Sequence, residues 1–520
     1  MINIIKKYYR RSAVLVAGVA LALSTASCRE DIVDLKPYDS VGENDAFTSP
    51  SLVQLAVNGV YNAAQIGYFN GAGGRGYVFG AAYFQQNEAR GEDVVNTQAF
   101  YQLTYESNYD PTTANNVYYW SDAYRLINRT NLVKEGVASA LAKGVISQNE
   151  ANTYTAEVLF FRALTHLELL KHFAKPYHLD AGASLGVPYR EKGYSTISGI
   201  DEGLTQGRNT VAECYSKVLA DLEFAEANLP AASNMNRGLN DISRATKGAA
   251  QAIKMRAYMN MRNWSKALDE YTKLNATYAL EADPAKPFTA NFANSESVFS
   301  LNNTATNNPG VNGALASQFN GRSLLAISPI LWRNSYWLAD DKRRSDGVFT
   351  ATVSGAKFTR KYKDVTNFSD ASPIVRFADV VLMAAEAYAR TGDLANGLKL
   401  LNSVRNRSLA NPSAQEYKAF TSAADLVKAI LAERRIELNS EGVRWGDIHR
   451  LINDDLAPTA GIPAKVPNGF PPASAYTLGT PYSGSLTAAI PYTDKRFLWP
   501  IPLQEINNNP TLAAQQNPGY

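Results

Sequence analysis

The feature that most constrains the fold is a pattern that returns at a fixed distance. Ala257-Tyr258, four residues, Asn263-Trp264, two residues and Ala267-Leu268 reappear 130 positions later as Ala387-Tyr388, four residues, Asp393-Leu394, two residues and Gly397-Leu398. Each copy sets small and aromatic residues on two helical stretches across a tight turn. Small side chains where helices cross let the backbones approach, and an aromatic ring fills the adjoining groove. Such a pair cannot bury its apolar face alone and must stack on others. The chain is thereby steered toward stacked helices.

This is the logic of tetratricopeptide (TPR) helix pairs, and helical periodicity surrounds both copies. Ser49-Pro50 opens a helix with Leu52, Leu55, Ala56 and Val60 at helical spacing. Tyr118–Gly136 follows. Ser147 and Glu150 have capping-box spacing before a helix to about Phe173, with Val158, Phe161, Leu164 and Leu167 on its apolar face. Thr210 and Glu213 cap another over Thr210–Leu229. Ala245–Met261, Trp264–Leu274, Pro373–Arg390, Leu394–Arg405 and Ala423–Asn439 complete the set. From about Glu281 to Lys363 clustered Asn, Gly and Ser and short β-like pieces such as Ser297–Leu301 replace this pattern. Pro458–Arg496 is a second irregular stretch. The expected fold class is mainly α, one body over residues 50–520. Its scaffold segments are about 113–175, 210–275 and 373–450, and its loop-rich segments about 62–112, 281–372 and 457–498.

The N-terminus reads as a secretion signal. Lys6, Lys7, Arg10 and Arg11 precede an apolar run from Ala13 to Leu23, then small residues and Cys28. The run is too short to span a bilayer. We expect residues 1–27 to be removed, Cys28 to be acylated, and residues 28–49 to form a tether. Thr25 departs from the Leu usual three places before a lipidated cysteine. The signal holds four of the 51 basic residues and none of the 48 acidic ones, so the mature chain is close to neutral. Without basic runs, this argues against nucleic acid as a partner. Only Cys214 then remains, which rules out an internal disulfide framework and reads as a small buried apolar residue.

Several motifs invite over-reading. Gly71–Gly76 fits G-x-G-x-x-G but follows a helix where dinucleotide binding needs a strand. Gly182–Gly186 fits G-x-S-x-G, yet Val187-Pro188 blocks the helix a nucleophile elbow requires. His166, His172 and His178 recur every six residues and do not converge on one helix face as metal ligands would. Glu433, Arg434, Arg435, Glu437, Glu441, Arg444, Asp447 and Arg450 read as an ion-pair network tying a helix to its neighbours. No catalytic residue, cofactor or metal site is assigned.

Larger pieces carry a resemblance. Ala56–Tyr61; Trp120-x-x-x-Tyr124 with Ile127-Asn128 and Asn131; Ala156-Glu157 with Phe161–Ala163; Arg256–Tyr258; and Arg376–Asp379 through Glu386-Ala387 stand in order. Glu433–Arg435 with Glu437-Leu438, Glu441–Asp447, Trp499–Pro502 with Glu505-Ile506, and Gln516–Tyr520 follow. In this order the chain resembles the SusD/RagB family of outer-membrane nutrient-binding lipoproteins over nearly its whole mature length. The resemblance implies a TPR scaffold against a variable loop-rich region. It also implies a place on the cell surface beside a SusC-like TonB-dependent β-barrel transporter, and capture of an oligosaccharide or a peptide without chemistry. Arg29-Glu30-Asp31 is similar to the signal that sends such lipoproteins to the outer face. Ligand residues are read from loop position and composition: Arg90, Asp93, Asn96, Phe100 and Tyr101 on 84–105, and Trp332, Tyr336 and Trp337, with Arg333 and Asn334, on 324–337. Inward-packed loop anchors are the alternative for these aromatics. A surface glycosidase and a purely structural partner of the barrel are the other functional readings.

Overall fold

The computed structural model describes residues 45–67, 74–232, 242–289 and 292–520. Its principal helices are α1 (Pro50–Ile66), α2 (Ala81–Ala89), α3 (Ala114–Ala142), α4 (Gln148–Phe173), α5 (Val211–Asn228), α6 (Lys247–Asn260), α7 (Trp264–Asn275), α8 (Phe377–Arg390), α9 (Leu394–Arg405), α10 (Ala423–Glu437) and α11 (Arg444–Arg450). Short strands β1 (Val94–Asn96), β2 (Ser297–Leu301), β3 (Leu325–Ile327), β4 (Thr350–Val353), β5 (Ala356–Thr359), β6 (Ser372–Arg376), β7 (Gly461–Ile462) and β8 (Ile490–Pro491) pair only as two-stranded ribbons, β1 with β3, β2 with β6, β4 with β5 and β7 with β8. From α3 to α10 each of these helices packs on the next, and α1 lies on α3.

The repeat produces the same turn twice. Arg262 (φ 58°) and Gly392 (φ 90°) take the left-handed conformation that ends a helix. Asn263 (φ −89°, ψ 75°) and Asp393 (φ −85°, ψ 73°) then cap α7 and α9, accepting from Lys266 N at 3.2 Å and Asn396 N at 3.0 Å. The two units meet where Tyr271 of α7 stands edge-on to Tyr388 of α8. Both expected capping boxes are formed, Ser147 with Glu150 and Thr210 with Glu213.

Two local expectations are corrected. Ser372–Arg376 is a strand, and the helix expected from Pro373 begins at Phe377. Its partner is β2, with Ser297 opposite Arg376 and Leu301 opposite Ser372. Both strands are buried throughout, so their apolar run has no alternation to set it apart from a helix start. Ala81–Ala89, expected within a loop-rich segment, is helical. All nine residues are buried, and a helix enclosed on every side shows no amphipathic period.

Most of the core is one continuous cluster through the helical stack. A smaller cluster around Trp332, Trp337, Phe358 and Tyr476 lies beneath the loops, and a third surrounds Trp445 and Phe497. Cys214 is buried, its thiol donating to Val187 O at 3.3 Å; burial pushes its pKa up to about 11. No helix among the described residues is long and apolar enough to cross a membrane. Cys28, the tether up to residue 44 and Gly71–Gly73 lie outside the described residues.

Candidate functional site

The two stretches singled out for ligand binding are joined directly. β1 carries Val94–Asn96, β3 carries Leu325–Ile327, and they run antiparallel with Val94 opposite Ile327 and Asn96 opposite Leu325. Ser328 N closes the ribbon by donating to Asp93 O at 2.9 Å. Beyond β3, Ser328 caps the short helix Pro329–Trp332, which has Pro at its first position. β3 also packs against β5 of the β4–β5 hairpin. A third segment, 466–482, covers this platform. Gly469 N donates to Asn96 O at 2.8 Å, Asn96 Nδ2 donates to Asn468 Oδ1 at 2.6 Å, and Tyr476 Oη donates to Ile327 O at 2.9 Å.

Most of the expected ligand residues face inward. Trp332 and Trp337 are 6% and 4% exposed and stand edge-to-face at 5.3 Å. Arg344 holds both. Its guanidinium lies 4.6 and 4.3 Å from their ring centres and donates to the carbonyls of Trp332 (2.6 Å), Trp337 (2.7 Å) and Leu338 (2.8 Å). Burial lowers the Arg344 pKa to about 10, against the pull of Asp341. Arg90 is fully buried, 3.5 Å over the Trp445 ring, and donates to Phe497 O. Asp93 is gripped by Arg435 and Arg444. Asn96 and Tyr101 are enclosed. In this structure these six side chains anchor the loops and present no free face to solvent.

Phe100 and Tyr336 are half-buried. Phe100 lies between the Arg75 and Arg322 guanidiniums, 4.6 and 5.3 Å from its ring centre. Tyr336 sits with Arg333 and Asn334, also half-buried, at the edge of the Trp332 platform. Arg333 Nε donates to Thr480 O at 2.7 Å. Sequence reasoning missed the third segment, which adds half-buried Tyr482 and Phe470 (39% exposed), the latter 5.9 Å from Phe358. It also missed Lys357, whose ammonium is 5.4 Å from the Trp332 ring centre. The Pro-, Gly- and Tyr-rich composition of 458–496 was the available signal. The result is a shallow face with aromatic edges and mixed donors and acceptors over a buried aromatic platform.

The other motifs have structural places. His166 stacks on Tyr189 at 3.8 Å, His172 on Trp499 at 4.1 Å, and a ring nitrogen of His178 lies 2.6 Å from Ile452 O. Burial drives the His166 pKa down to about 3. Ser184 sits in a turn that leads to a bridge between Leu185 and Thr210. No group of three or more His, Cys, Asp or Glu among the described residues is placed to hold a metal.

A stacked-helix scaffold carrying an irregular loop-built face defines a class of recognition protein. The chain belongs to the SusD family: the family model matches residues 236–520, and a second model, described as starch-binding associating with outer membrane, matches residues 33–259. It is similar to SusD-like protein P25 of Formosa agariphila, 24% identical over 97% of this chain and 99% of that protein. Solved structures agree. A SusD superfamily protein from Bacteroides fragilis is 27% identical with a TM-score of 0.73, covering 90% of this chain and all of that one. One from Bacteroides thetaiotaomicron is 25% identical with a TM-score of 0.71 over the same shares.

Proposed function

We propose that the protein is a cell-surface lipoprotein, acylated at Cys28, that captures a neutral oligosaccharide on its loop-built face and passes it to a TonB-dependent β-barrel transporter without transforming it. The observation that carries this reading is membership of the SusD family, joined by a second match over the N-terminal part to a model described as starch-binding and outer-membrane-associated. The face suits such a ligand. Apolar sugar faces stack on aromatic edges, while Arg333, Asn334 and Lys357 answer hydroxyls. Loops on a rigid scaffold can vary without disturbing the core. Trp332, Trp337, Asp93 and Asn96 serve this role from beneath, setting the positions of Tyr336, Phe470 and Tyr482.

Calorimetry against maltoheptaose, other neutral glycans and a peptide panel, with product analysis of each mixture, tests the reading. Heat without product from a glycan is expected, and Tyr336→Ala with Phe470→Ala should weaken it about tenfold. Product formation would make the protein an enzyme. Heat from peptides alone would change the ligand class, and silence throughout would leave a structural partner of the barrel. For the anchor, mass spectrometry should find a diacyl or triacyl Cys28 at the mature N-terminus; an unmodified one overturns it.

A further inference from the structure

A separate cleft of about 250 Å³ opens beside the N-terminal half of α3. Its floor is the Trp120 indole, 1% exposed, and its sides include the half-buried rings of Tyr124 and Tyr194. The rings are held by their polar atoms. Tyr124 Oη donates to Pro188 O at 2.9 Å, and its ring lies 4.6 Å from that of Trp120. Asn128 fixes the backbone of Tyr194 from both sides, donating to its O at 3.0 Å and accepting from its N at 2.8 Å. Ile200, 48% exposed, and Leu204 extend the apolar lining.

Two charged groups complete the cleft. Arg190 donates one bond, to Gly203 O at 2.6 Å, which leaves most of its five N–H groups uncommitted. Glu505, half-buried, closes no ion pair within 4.0 Å with any described residue. Burial raises its pKa, while Arg190 and the Trp120 N–H pull it down. A carboxyl and a guanidinium thus line one cavity and influence each other without meeting.

The lining selects among ligands. A cation would meet Arg190 and an anion would meet Glu505. An entirely apolar ligand would leave a desolvated carboxyl unpaired, which is costly. A neutral ring with apolar faces and an equatorial rim of hydroxyls satisfies every group: its faces lie on the tyrosines, and its hydroxyls donate to Glu505 and accept from Arg190. A zwitterion also matches both charges, and titration with free phenylalanine decides between it and a sugar. We propose that this cleft is a second saccharide-binding site, taking a single neutral pyranose unit between Tyr124 and Tyr194 with its hydroxyls on Glu505 and Arg190.

The inference rests on the glycan reading above but on none of the loop-face residues, so the two can be separated. Maltotriose, cellotriose and mannotriose are titrated into the full mature chain, into Tyr194→Ala, into Glu505→Gln, and into the double variant Tyr336→Ala with Phe470→Ala. Thermal melts confirm that each variant folds. Wild-type protein should show two sites for at least one trisaccharide. Tyr194→Ala and Glu505→Gln should each weaken one of them about tenfold, and the loop-face variant should leave that one intact. A single site unmoved by either cleft variant overturns the cleft and spares the loop face. Silence toward all three sugars overturns the cleft together with the glycan reading. Binding of free phenylalanine in place of sugar, lost in Tyr194→Ala, makes the cleft a zwitterion site and also overturns the proposal.

Discussion

Single side chains decide how tightly the scaffold grips the loops, and Glu88 near the end of α2 is one that titrates. Its Oε1 accepts from Gly442 N at 2.7 Å, where Gly442 (φ 73°) passes close over Phe84. Burial, with Asp93 nearby, raises the Glu88 pKa from 4.5 to about 8, overcoming the Gly442 hydrogen bond, Lys361 and Arg444. The sign follows from linkage. Between about pH 4.5 and 8 the folded protein keeps this proton while the unfolded chain has lost it, so this group's contribution to stability falls as pH rises through that window. The slope is at most about 1.4 kcal/mol per pH unit. Glu88→Gln retains the acceptor and removes the titration. Urea unfolding across pH 4–9 should show the variant gaining on the wild type as pH rises, with the difference level above pH 8. A difference constant across the range would mean that Glu88 ionises normally.

At the scale of elements, the repeat brings small residues to helix crossings, and Gly397 of α9 is a close case. A Cβ there would stand 3.0 Å from Ala385 O and 3.1 Å from Leu426 Cδ2. Alanine is the better helix former by about 1 kcal/mol, but overpacking against a backbone oxygen costs about 1–3 kcal/mol. We expect Gly397→Ala to lose about 1 kcal/mol in urea unfolding; a gain would mean that the crossing has slack. This contact also shows what the sequence could reveal. Helices with one solvated face, their caps and the 130-residue repeat were legible because local period and local capping encode them. Ser372–Arg376 was not, because its partner lies some 75 residues upstream and Pro373 reads equally well as a helix start. The candidate site was half legible. Residues 93–96 and 324–337 do meet, but an irregular loop has no period to say which aromatics turn inward, so Trp332 and Trp337 could not be told from Phe470 and Tyr482. The cleft at Trp120 needed Glu505, from nearly 400 residues away, to become visible.

At the scale of the molecule, stack and loops are fastened through buried charge clusters, and the one around Glu437 joins the most segments. Glu437, at the end of α10, lies between Arg343 (2.7 Å), Arg376 (2.7 Å) and Arg407 (2.6 Å). Arg343 also reaches Glu433 at 2.5 Å, while Glu441 takes Arg376 at 2.7 Å and Lys361 at 2.6 Å. Arg343 and Lys361 come from the loop-rich region, Arg376 from the strand entering α8, and the glutamates from α10 and the turn after it. Burial raises the Glu437 pKa, but Arg407, Arg376 and Arg343 outweigh it and hold the carboxylate well below its usual range. Its contribution is therefore present above the unfolded value of about 4.5 and is lost as pH falls below it. Removing one partner from a buried cluster costs about 3–5 kcal/mol, because the opposing charges stay behind unbalanced. Glu437→Gln keeps the shape and deletes the charge. The helices of the stack also pack on one another, whereas the loop platform is held by its small aromatic cluster, by this tie and by Asp93 on Arg435 and Arg444. The variant should therefore lose the loops first. On heating at pH 7, glycan binding should disappear several degrees before the far-ultraviolet helical signal, where the wild type loses both together. Simultaneous loss in the variant would show that the platform stands without the Glu437 charge, held by the aromatic anchors around Arg344 and by Asp93 on Arg435 and Arg444.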